Sequence, residues 1–141
     1  MRTLILLAAL LAAPALAQPP REESPASQEL LDQLGQGSSD AELARAIAAA
    51  AAHPLGTGAN PIRVGGPEGA QAYLARLRCG DGSAPRIGER EAAGVGAYGT
   101  IVDAWPIDCG DAAPGKVSLV IDLYHDGHVE QAAPPGFAIL P

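Results

Sequence analysis

Gly99-Thr100-Ile101-Val102-Asp103-Ala104-Trp105-Pro106-Ile107-Asp108-Cys109 and Lys116-Val117-Ser118-Leu119-Val120-Ile121-Asp122-Leu123-Tyr124-His125 are the two runs whose alternation decides the fold. In the first, Ile101, Asp103, Trp105 and Ile107 fall on one side, with Val102, Ala104 and Pro106 on the other. In the second, Val117, Leu119, Ile121 and Leu123 share a face. A period of two over seven or more residues is the mark of a strand with one face against a core. Pro106 points to a bulge or an edge position late in its strand, because it has no N–H for a ladder bond.

Just upstream, Pro67-Glu68-Gly69-Ala70-Gln71-Ala72-Tyr73-Leu74-Ala75-Arg76-Leu77-Arg78 changes period. Tyr73, Leu74 and Leu77 stand at helical spacing, and Pro67 and Glu68 suit a helix N-terminus. Gly80-Asp81-Gly82 stops the element. Cys79 follows the helix and Cys109 follows the first strand, so a bond between them pins helix to sheet. The loop holds about thirty residues, for which chain entropy gives roughly 3–4 kcal/mol. A redox or metal role for the pair lacks a C-x-x-C arrangement.

The remaining elements are read around this centre. Pro61-Ile62-Arg63-Val64 reads as a short strand at a sheet edge, and Ser83 to Gly99 as a charged, Gly-rich surface loop. Phe137-Ala138-Ile139-Leu140 offers a final strand. The expected fold is α+β, a small antiparallel sheet of three to four strands covered by one helix. A helical extension precedes it. The alternative is a mostly β sandwich in which 67–78 forms only a turn or two of helix.

Met1-Arg2-Thr3, the apolar run Leu4 to Leu11 and Ala15-Leu16-Ala17 before Gln18 form the pattern of a secretory signal peptide. The expected organisation is therefore a leader over 1–17, a disordered polar start over 18–24, a helical hairpin over 25–52 and a disulfide-linked domain over 53–141. Ser24 and the Ser39–Glu42 capping box would open the two helices. The expected location is periplasmic or secreted, where two cysteines read as one disulfide, with no membrane span after cleavage of the leader.

The chain carries 9 Lys+Arg against 16 Asp+Glu, a net charge of −7. Such a surface repels phosphate backbones and anionic lipid, so nucleic acid is not an expected partner. With 4% aromatic residues, stacking platforms for bases are scarce as well.

Asn60-Pro61-Ile62-Arg63, Tyr73 to Cys79, Tyr98 to Asp103, Asp122-Leu123-Tyr124-His125 and Pro135-Gly136-Phe137 together resemble a family of small exported bacterial proteins of unknown function. The resemblance covers roughly residues 53–140. It implies one domain with paired cysteines and carries no reaction with it.

Three constellations could bear chemistry. His125 and His128, with Asp122, Asp126 and Glu130 nearby, offer imidazole and carboxylate donors suited to zinc or copper. The competing reading is a solvated turn in which a histidine pairs with an aspartate. Asp103 and Asp122, with His125, could serve acid–base hydrolysis if their strands are neighbours, or could accept from Arg76 or Arg78. Gly94-Val95-Gly96-Ala97-Tyr98-Gly99 matches G-x-G-x-x-G, but lacks the preceding strand and following helix of a dinucleotide site. No serine lies in a G-x-S-x-G elbow. The sequence thus favours a non-enzymatic binding or envelope domain with an extracellular or envelope partner and no required cofactor.

Overall fold

The computed structural model describes residues 40–141, so the leader, the polar start and the first helix of the expected hairpin lie outside the described residues. Among the described residues, two helices and eight strands follow one another: α1 (Asp40–Ala50), β1 (Ile62–Gly65), α2 (Gly66–Arg76), β2 (Leu77–Arg78), β3 (Arg86–Ile87), β4 (Glu91–Val95), β5 (Ile101–Asp108), β6 (Lys116–Asp122), β7 (Tyr124–Val129) and β8 (Ala138–Ile139). No helix among the described residues is long and apolar enough to cross a membrane.

The expected fold needs correction. The main sheet has six strands, not three or four, in the order β3-β5-β6-β1-β7, with β4 also paired to β5. It is mixed rather than antiparallel, because β1 runs parallel to β6 and antiparallel to β7. Register shifts within β1·β7 and β4·β5 curl it. A separate two-stranded ladder joins β2 to β8. The sandwich alternative fails too, since α2 is a full 11-residue helix.

Each departure has a local cause. Pro61 lies one residue before β1, so its missing N–H removes no ladder bond, and β1 takes an interior position between β6 and β7. Ile62 and Val64 are both buried there. The segment expected as a wandering loop supplies β3 and β4, whose residues are all exposed and so lack the one-sided alternation that betrays a strand. β3 pairs with residues 107–108 of β5 and β4 with residues 101–104, so the two share one edge. Pro106 sits in the gap between them. Its carbonyl accepts from the Gly88 N–H, so the side of the strand where its own N–H is missing faces that gap.

The central reading of the chain holds in packing. β5 and β6 pair over seven residues from Val102↔Asp122 to Asp108↔Lys116. Leu119 and Ile121 enter the core from one face, and Val117, Trp105 and Leu123 pack against it. From α2, Ala70, Tyr73 and Leu74 meet that face, with Leu77 just beyond the helix. Fully burying side chains of this size contributes roughly 1.5–3 kcal/mol each. The Cys79–Cys109 bond closes the far end with Cα atoms 5.7 Å apart. α1 belongs to the same compact unit as the sheet, and it buries Ala50.

Past β7 the chain returns across α2 as a strap. Arg76 holds it by donating to the Glu130 carbonyl at 2.6 Å and to Gln131 Oε1 at 3.1 Å. The Tyr73 hydroxyl donates to the Ala132 carbonyl at 2.9 Å. Burial of the phenol, then the nearby Glu130 carboxylate, push its pKa well above the ordinary value of 10.0, with Arg76 opposing.

Two predictions follow from these restraints. Replacing both cysteines by alanine lowers unfolding free energy by about 3 kcal/mol in urea titration, as the chain-entropy argument requires; an unchanged midpoint would show that the bond restrains nothing. Because the folded Tyr73 pKa lies above the unfolded one, its contribution is full below the unfolded pKa and is lost as pH rises toward the folded value. Tyr73→Phe should cost about 1 kcal/mol at neutral pH and flatten the loss of thermal stability above pH 10.

Candidate functional site

The densest polar cluster lies where β6 ends. Asp122 is the last residue of β6, and its register with Val102 turns its side chain to the sheet face opposite Ile121. There the loop between β4 and β5 folds over it. The Thr100 hydroxyl donates to Asp122 Oδ2, and the Tyr124 N–H donates to Oδ1 at 3.0 Å. The Asp122 side chain is wholly buried and that of His125 nearly so. His125 Nε2 stands 3.3 Å from Asp122 Oδ2, but without the alignment of a hydrogen bond.

Tyr98 closes the cluster. Its ring meets that of His125 edge-to-face, with centroids 5.2 Å apart and planes at 87°. Its hydroxyl donates to Asn60 Oδ1 at 3.1 Å and lies 3.4 Å from the Pro61 carbonyl. Burial raises the Tyr98 pKa; Arg63 lowers it, while Asp122 and Glu130 raise it further. The G-x-G-x-x-G run begins in the last residues of β4 and continues as the turn that carries Tyr98. Gly96 is required there, because a Cβ would sit 2.5 Å from Val102 Cγ1. The Gly96 N–H bonds to the Thr100 carbonyl, and Gly99 takes a positive φ of 82°.

The other sequence candidates go elsewhere. His128 Nε2 lies 3.4 Å from Glu130 Oε2, so the two histidines meet different carboxylates. Asp126 is exposed in β7, which replaces the turn expected there. Among the described residues, no group of three or more His, Cys, Asp and Glu side chains stands close enough to hold a metal ion. Asp103 pairs with Arg90 at 2.9 Å, and its register partner is Ile121. Adjacent residues of β5 face opposite ways, so Asp103 and Asp122 lie on opposite sides of the sheet. Neither accepts from Arg76 or Arg78: Arg76 holds the strap, and Arg78 donates to the carbonyls of Ala75 and Leu77. Ser83 donates to Asp81 Oδ1 at 2.7 Å, and with a backbone bond from the same residue this lowers the Asp81 pKa.

A surface feature escapes the sequence reading. Between the N-terminus of α2 and the start of β5 lies a cleft of about 410 Å³, lined by Pro67, Ile101, Leu123 and Tyr124 with the Arg90–Asp103 pair at its side. Ile101 is 58% exposed and Tyr124 64% exposed. Ile101 opens the side of β5 that also carries Trp105 and Ile107, and it is left uncovered at the cleft. The available signal was arithmetic: the apolar face of β5 and β6 is longer than the apolar stripe of α2.

Asp122→Ala strands the Thr100 hydroxyl and the Tyr124 N–H, and should destabilise the fold by about 2–4 kcal/mol in denaturant titration. Asp122→Asn retains one acceptor oxygen and should cost clearly less. Equal losses would mean that the hydrogen bonds are not what the carboxylate supplies. Compared with family models, with curated proteins and with solved structures, the chain matches none.

Proposed function

We propose that this chain is a small exported binding domain, periplasmic or secreted, without a catalytic centre in its folded core. One observation supports the reading above the rest. The side chain richest in possible acid–base chemistry, Asp122, is fully buried, and both its oxygens accept hydrogen bonds from the fold itself. A carboxylate held in that way positions a loop and a turn; substrate has no route to it. The accessible surface instead offers exposed apolar side chains around a cleft, the usual mark of a recognition surface. The disulfide is compatible with an oxidising compartment.

The experiment sets this reading against hydrolysis by Asp103, Asp122 and His125, and against zinc or copper held by Asp122, His125 and His128. Untagged protein is tested in a hydrolase panel and titrated with both metals, beside Asp122→Asn and a His125→Ala, His128→Ala variant. The binding reading predicts no turnover and no stoichiometric metal uptake in any form. Turnover that disappears in Asp122→Asn, or tight metal binding that disappears in the double variant, would contradict it.

A further inference from the structure

We propose that the cleft between α2 and β5 docks an extended cationic polypeptide segment, through one aliphatic or aromatic side chain flanked by lysine or arginine. The inference rests on the binding reading and names the partner's chemistry.

The anchor comes from the apolar lining. Ile101 and Tyr124 are exposed in its lining together with Leu123 and Pro67, and Val95, register partner of Ile101 on β4, is 72% exposed. Cross-strand partners share a face, so Val95 extends the same apolar surface. A cavity of about 410 Å³ accommodates a large side chain and adjoining backbone.

Charge selects the occupant. Within the cleft, Arg90 and Asp103 neutralise each other. At the α2 end, Glu68 Oε2 lies 3.3 Å from where a Gly66 Cβ would stand. Asp126 follows Tyr124, a lining residue, by two positions on β7 and so projects to the same side of that strand. Both carboxylates are exposed, and neither has an ion-pair partner among the described residues. The rim is therefore acidic on a chain of net charge −7. A second copy would bring the same acidic rims together, and an anionic lipid surface or carboxylate ligand would meet like charge. A cationic segment satisfies Glu68 and Asp126, and the open face of the Tyr124 ring can take one of its charges.

The test uses the full chain and a fluorescent peptide of alternating leucine and lysine, read by anisotropy, with a leucine–glutamate peptide as its counterpart. Saturable binding of the lysine peptide should weaken several-fold as salt is raised. It should weaken roughly tenfold or more in Ile101→Asp, and also in a Glu68→Lys, Asp126→Lys variant. All three positions are exposed, so unchanged circular dichroism and melting temperature certify the variants as folded. Equal affinity for the glutamate peptide, or affinity indifferent to both variants, would overturn the assignment. So would a dimer in sedimentation that Ile101→Asp dissolves, since the occupant would then be a second copy. Failure of the lysine peptide with a silent hydrolase panel refutes this inference alone; turnover in the panel refutes the binding reading beneath it.

Discussion

A carboxylate taken wholly out of water has to be repaid in hydrogen bonds, and Asp122 organises its end of the molecule for that reason. It stands at the last position of β6, where the chain must turn across β1 to start β7. Through Oδ1 it fixes the Tyr124 N–H at the start of β7, and through Oδ2 it fixes Thr100 at the start of β5. Three strands are thereby tied at one point. Tyr98 then lies over His125 and reaches Asn60 and the Pro61 carbonyl, which ties in the approach to β1. The opposite end of the sheet has the disulfide. Between these two anchors, the apolar face against α2 supplies the bulk of the burial.

This division of labour explains what the sequence makes legible. β5, β6 and α2 advertise themselves through apolar residues recurring at a period of two or of 3.6, although β5 buries Val102 on one side and Ile107 on the other. Leu119, Ile121, Tyr73 and Leu74 stand where those periods put them. The cysteine pairing is legible because only two cysteines exist. β3 and β4 are hidden by the same logic in reverse. Glu91-Ala92-Ala93-Gly94-Val95 is exposed along its whole length, and its strand character comes only from the edge that β5 offers. β7 is hidden because Asp126-Gly127 is a turn signal locally, overridden here by β1. Parallel pairing of β1 with β6 is a long-range event that no local pattern encodes.

The candidate site divides in the same way. Residue type singled out Asp122 and His125 because a carboxylate and an imidazole three residues apart offer metal or acid–base donors. What type could not supply is direction. Asp103 and Asp122 differ by one step of register, which puts a whole sheet between them. His125 and His128, three apart, would share a side on a helix; on β7 they meet separate carboxylates. The hydrogen bonds that Asp122 accepts come from the fold itself.

The most direct test of this account is native-state hydrogen exchange at the Tyr124 amide, which bonds to a side chain rather than to a ladder partner. If Asp122 is the anchor described, that amide exchanges as slowly as the backbone of β6, and the Gly96 amide of the overlying turn is protected with it. Rapid exchange at Tyr124 while β6 remains protected would show that the carboxylate does not hold the turn. Asp122 would then be free for the chemistry the account denies it.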